Sequence, residues 1–139
     1  MKKAISFLVA ALMLCASIPC ASAAAGEPIQ PMWKYLNRID GTIEISTGGI
    51  ATVAATVQSR ASGSQKTGIT VSLQQKKPDG WKEIKSWTAT QEGSYALITR
   101  RSWAVPHGYS YKIVVTGRMY QGLQVLEQES KAFNYGYFA

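Results

Sequence analysis

From Trp33 to the end of the chain, apolar residues recur at every second position, and no stretch keeps a helical spacing for more than two turns. A period of two sends alternate side chains to opposite faces of a strand, so the chain is restricted to sheets that bury one face. The clearest case is Ile69, Val71 and Leu73 alternating with Thr70, Ser72 and Gln74. Ala51, Val53, Ala55 and Val57 line one face of a second strand, with Thr52, Thr56 and Gln58 on the other. Residues 42–46 alternate as Thr-Ile-Glu-Ile-Ser before the break at Gly48-Gly49, and a polar loop is expected from Ser59 to Gly68. Lys77-Pro78-Asp79-Gly80 reads as a turn, because Pro78 presets φ and Gly80 accepts a positive one. The strand that follows, Trp81–Thr90, pairs back as a hairpin.

That second hairpin strand breaks the rule. Trp81, Ile84 and Trp87 are spaced by three, which no regular strand can place on one face. Either a β-bulge lies within residues 84–87 or one tryptophan faces solvent. A short helix is the third option, and Thr88, Thr90 and the turn speak against it. Farther on, Tyr95, Leu97, Thr99, Arg101 and Trp103 share a parity, as do Tyr111, Ile113 and Val115. A segment at Leu123–Glu129 and an aromatic tail of Phe133, Tyr135 and Tyr137 complete the count. Seven to eight short strands with turns every 8–12 residues predict an all-β fold, a single immunoglobulin-like antiparallel β-sandwich over residues 33–139. Gly108-x-x-Tyr111 fits a tyrosine corner at the entry to the penultimate strand, with Ile113 where antibody domains place a cysteine.

The sandwich is preceded by an expected secretory signal peptide, residues 1–23, and a flexible leader, residues 24–32. Lys2 and Lys3 are followed by 15 apolar-rich residues from Ala4 to Ile18, then Pro19 and the small triplet Ala21-Ser22-Ala23. This is the pattern a signal peptidase cleaves, after Ala23 or, in competition, after Ala25. The apolar run is too short for a spanning helix, which needs roughly 20 residues, so no transmembrane segment is expected in the mature chain. Cleavage would change the chemistry as well as the location. It removes Cys15 and Cys20, the two cysteines of the chain, and so removes disulfide, thiolate and sulfur-metal chemistry. The net charge falls from +7 to +5, with 13 Lys+Arg against 8 Asp+Glu left.

Three segments carry a resemblance. Val71-Ser-Leu-Gln-Gln-Lys-Lys77, Gly80-Trp-Lys-Glu-Ile-Lys-Ser-Trp87 and Val105-Pro-His-Gly-Tyr-Ser-Tyr-Lys-Ile113 resemble small secreted proteins of Gram-positive, clostridia-type bacteria. Those proteins share a signal peptide, one β-sandwich, an L-Q-K-K strand, a W-x-x-V-K-S-W hairpin and a later G-x-x-Y-R-V strand. The likeness runs from Tyr35 to the end of the chain, with Lys112 where the family often has Arg. It implies the sandwich and export, and it brings no catalytic residue.

Catalytic chemistry has little to work with here. His107 is the one histidine, set between Pro106 and Gly108. The two aspartates, Asp40 and Asp79, each precede a glycine, the signature of a tight turn. A serine triad would have to recruit these turn residues, and nothing in their spacing suggests the mutual geometry a triad requires. Glu127 and Glu129 share a parity and are expected on a solvated outer face rather than flanking a glycosidase cleft. Clustered metal ligands and phosphate-cradling glycine motifs are absent from the sequence, so no cofactor is expected.

Surface recognition is what these residues leave. Four tryptophans and seven tyrosines exceed the needs of one small core. Trp87 and Trp103 are the candidates for ligand contact, since tryptophan faces bind sugar rings and anchor protein interfaces. Their simpler role would be to pack with Trp81 or cap the core. Lys76, Lys77, Lys82 and Lys85 cluster around one hairpin and Arg100-Arg101 form a second basic pair. They would suit an anionic envelope polymer, a glycan or an acidic protein, or would only protect strand edges and solubility. Nucleic acid is not expected for an exported domain of modest charge. The predicted site is therefore Trp87, Trp103, Lys82, Lys85, Arg100 and Arg101, in a secreted, non-enzymatic recognition module. The alternative is a secreted bacteriocin-like or host-directed effector.

Overall fold

The computed structural model describes residues 33–139. The expected signal peptide and leader lie outside the described residues. Seven strands follow in order: β1 (Leu36–Ile45), β2 (Ile50–Ser59), β3 (Lys66–Lys77), β4 (Gly80–Glu92), β5 (Tyr95–Ala104), β6 (Tyr109–Gln121) and β7 (Gln124–Phe138). They form two antiparallel sheets, one ordered β1-β2-β5 and the other β4-β3-β6-β7. Trp33–Ala139 is a compact unit by itself.

Alternation builds the core as read. Ala51, Val53, Ala55 and Val57 of β2 face Ile69, Val71 and Leu73 of β3 and Ile113 and Val115 of β6, all buried. Burying such side chains is worth about 1.5–3 kcal/mol each for the larger ones. The β3–β4 turn is also as expected, with Pro78 and Asp79 between the strands and Gly80 at φ +131°. Tyr111, fully buried, donates its hydroxyl to the Pro106 carbonyl at 2.6 Å and accepts from Gln75 Nε2 at 2.9 Å. This closes the corner anticipated from Gly108-x-x-Tyr111. Burial, set against the Gln75 hydrogen bond, pushes the phenol pKa up.

Several expectations are corrected. The loop expected from Ser59 to Gly68 is shorter, because β2 runs to Ser59 and β3 starts at Lys66. A buried relay explains why: Ala61 N–H donates to Ser59 Oγ at 3.0 Å, and Thr67 donates to the Gly93 carbonyl at 2.6 Å. The Thr67 proton being spent there, the 2.7 Å bond between the two hydroxyls is donated by Ser59.

Asp40-Gly41 is no turn. It lies inside β1, and a side chain at Gly41 would meet Val115 at 2.9 Å and Phe133 at 3.0 Å, so glycine is needed there for the approach of the two sheets. The last two expected segments fuse into one long strand, β7, with register shifts that leave Leu126 and Tyr135 as extra residues.

The parity assigned to Tyr95–Trp103 also fails as a single face. Ala96 and Ile98 are the buried residues of β5, while Tyr95 and Leu97 face outward. Ile98 pairs with Ala55 and Arg101 with Val53, so β5 carries one residue more than β2 between these pairs. Arg100, at φ +31°, sits in that bulge. Past it, Arg101 and Trp103 return to the inner parity. The three-residue spacing in β4 has the same origin. Leu73 pairs with Lys85 and Gln74 with Glu83, leaving Ile84 as the extra residue. Trp87 therefore lies on the inner face, opposite Val71, and Trp81 on the outer face, opposite Lys76. Both of the bulge and exposed-tryptophan options are realised at once.

Candidate ligand-binding seam

β4 and β5 are the edge strands on the same side of the sandwich, one in each sheet. Directly opposed residues in a sheet share a face. Lys82, Lys85 and Trp87 stand opposite the buried Gln75, Leu73 and Val71, and so project toward the other sheet. Arg101 and Trp103 stand opposite the buried Val53 and Ala51 and project back toward β4. Five of the six predicted site residues thus share the inner parity along one seam. Arg100 is the bulge residue that turns Arg101 and Trp103 inward.

The seam is open. Trp103 is 41% exposed despite its inward parity, and Arg101 is exposed as well. Trp87 and Lys85 are half-buried, with Trp87 packed against the core. Lys85 Nζ lies 4.6 Å from the centroid of the Trp103 ring, so a cation–π contact links the two sheets. At such an exposed position it contributes about 0.5–1 kcal/mol. The seam is basic throughout. The single ion pair among the described residues, Arg38 with Asp40, lies in β1 and leaves these cations free of carboxylate partners. Chemically the arrangement combines flat aromatic area with cationic side chains. The bulges, with Lys82, Lys85 and Arg100 on two edge strands, also deter edge-to-edge pairing.

Other candidate groups take structural roles. His107 Nδ1 meets the Ala139 main-chain oxygen at 2.7 Å, and its ring stacks on Phe138 at 4.2 Å. Glu127 corrects the expectation of a solvated outer face. It stands opposite the buried Met119, and its carboxylate accepts the backbone N–H groups of Lys34, Tyr35 and Leu36 at 3.0, 2.8 and 2.7 Å. Burial opposes the charged form, but these three bonds and Arg60 outweigh it and hold the carboxyl below the usual glutamate range. A carboxylate on the inner parity of a last strand was the available sign, masked by the bulge at Leu126. A depression of about 360 Å³ lies at the β1–β2 hairpin, lined by Glu44, Ile45, Ser46, Ile50 and Thr52, none of them a predicted site residue. Among the described residues no helix is long and apolar enough to cross a membrane, and no three His, Cys, Asp or Glu side chains gather as metal ligands.

No protein-family model matches the chain, and no curated protein matches it in sequence. Among solved structures it is similar to Spo0M, a sporulation control protein from Bacillus subtilis, at 14% identity and a TM-score of 0.44. The match covers 73% of this chain and 49% of that one, so this chain spans about half the length of the protein it matches.

Proposed function

We propose that this protein is a secreted, non-enzymatic recognition module on an immunoglobulin-like sandwich, and that the seam between β4 and β5 binds an acidic glycan or similar anionic polymer of a cell envelope. The immunoglobulin-like reading is supported by the strand order β1-β2-β5 against β4-β3-β6-β7, and by the Tyr111 corner at the start of the sixth strand of seven. Export is supported by the signal-like pattern of residues 1–23.

The observation that carries the binding role is the Lys85–Trp103 contact at 4.6 Å across an open edge, with Trp87 and Arg101 on the same seam. An indole offers area to a pyranose ring at little entropic cost, and the cations supply partners for carboxylate or phosphate groups along the polymer. Purified protein titrated against arrays of acidic and neutral glycans tests the reading. Saturable binding to acidic members is expected, weakened about tenfold by Trp103→Ala, in line with a loss of about 1.4 kcal/mol at an aromatic anchor. Absence of any saturable acidic ligand, or a Trp103→Ala titration that overlays the parent curve, would overturn it.

A further inference from the structure

The outer face of the four-stranded sheet carries a second constellation that shares no residue with the seam. Trp81 stands opposite Lys76, and Ser110 opposite Tyr137. The β3–β6 register that pairs Gln75 with Tyr111 continues one step to set Lys76 beside Ser110. One row therefore crosses all four strands as Trp81, Lys76, Ser110, Tyr137, spanning three strand spacings, about 14 Å. The next row places Lys112 between Gln74 and Asn134, with Glu83 at its β4 end. Lys112 Nζ lies 4.5 Å and Lys76 Nζ 5.5 Å from the Trp81 ring centroid. Tyr137 is 66% and Trp81 37% exposed. Lys77, over Tyr109 at 4.7 Å, has the opposite parity and is not part of this face. The carboxylates nearby in sequence or register, Asp79 and Glu83, form no ion pair with any of these lysines.

We infer that this row docks the protein on the phosphate-rich surface of an anionic lipid bilayer. A small ligand needs a concave site, and a row on the outer face of a sheet offers a broad platform instead. An interface between water and lipid asks for what the row has. Tryptophan and tyrosine at its two ends carry apolar rings with polar tips suited to headgroup depth. Between them, lysines extend apolar stems and place ammonium groups among the phosphates.

Vesicle co-sedimentation of the chain from Ala24 onward tests this, using phosphatidylcholine vesicles with and without phosphatidylglycerol. Binding is expected to require phosphatidylglycerol and to fall steeply with added salt. Each lysine removed should weaken partition about fivefold, so Lys76→Gln with Lys112→Gln should cost roughly 25-fold. Trp81→Ala with Tyr137→Ala should also weaken binding, while Lys85→Gln with Trp103→Ala on the seam should leave it intact. Circular dichroism of each variant separates lost binding from lost fold, and the lysine pair, being solvent-facing, keeps the test available should Trp81→Ala unfold. The inference is overturned by equal binding to both vesicle types, by row variants that bind like the parent, or by binding to soluble polyphosphate or acidic polysaccharide with none to vesicles. The seam reading is tested separately, by the glycan titration and Trp103→Ala. Acidic-polysaccharide binding without vesicle binding would overturn the row while agreeing with the seam. Vesicle binding lost only in the row variants leaves the seam reading untouched.

Discussion

A single carboxylate organises the start of the sandwich. Glu127 accepts three consecutive backbone N–H groups, from Lys34, Tyr35 and Leu36, that precede or open β1 and would otherwise need water. Hydrogen bonds to a charged acceptor are worth about 1.5–3 kcal/mol each at best, and less where the group is partly solvated. Because the folded-state pKa lies below the unfolded one, the contribution is present above the ordinary glutamate range and is lost as pH falls through the lowered folded value. Glu127→Gln should therefore unfold at lower denaturant concentration than the parent at neutral pH. The difference should shrink as pH drops below the ordinary glutamate range, as followed by urea titrations at several pH values. A constant difference down to the most acid pH would contradict the role of the charge. Tyr111 shows the complementary case, a neutral buried hydroxyl that is both donor and acceptor and spends both capacities on Pro106 and Gln75.

At the scale of elements, bulges decide which side chains meet. Without the extra residue in β5, Arg101 and Trp103 would follow Tyr95 and Leu97 to the outer face, and Trp103 could not reach Lys85. The bulge depends on Arg100 holding φ +31°, a conformation that costs a non-glycine residue and is worst for a β-branched one. Arg100→Gly should leave the domain as stable as the parent or slightly more so, and preserve the Lys85–Trp103 contact. Arg100→Val should destabilise it by about 1–3 kcal/mol and change the Trp103 environment. Thermal unfolding with near-ultraviolet circular dichroism reads both effects. If the valine variant matched the glycine variant, the strain at this position would not be what holds the seam.

Over the whole molecule, two glycines set how closely the sheets approach. Gly41 of β1 lies under Val115, Phe133 and Ile113, and Gly117 of β6 lies under Val57 and Ile39, with a hypothetical Cβ only 2.7 Å from Val57. The described residues hold the two sheets together by such packing and by hydrogen bonds, with no cysteine among them. An added methyl at Gly117 must push the sheets apart or force Val57 off its rotamer, which costs about 1–3 kcal/mol. Gly117→Ala should lower Tm by several degrees, about 4–8 °C per kcal/mol for a domain of this size. Gly48→Ala, whose nearest neighbour is Ser46 Oγ at 3.9 Å, should have little effect. Equal melting temperatures would mean the inter-sheet contact yields more easily than its geometry implies.

The sequence by itself determined the all-β class, the faces of β2, β3 and β6, the Pro78-Asp79 turn and the Tyr111 corner. These are consequences of backbone periodicity and of residues with restricted φ, both local properties that neighbours a few positions away can establish. It also picked out the seam residues by type, though not their meeting. Only the tertiary structure decided that Asp40-Gly41 would be strand, that β7 would be continuous, that Glu127 would turn inward, and that Ile84 and Arg100 would be bulges. Each of those outcomes depends on what a distant strand offers: the volume beneath Gly41, the unpaired N–H groups beside Glu127, the register of Val53 against Arg101. A bulge shifts every later side chain to the other face without altering composition, so Lys85 and Trp103 were visible in the sequence while their contact across the open edge was settled by packing.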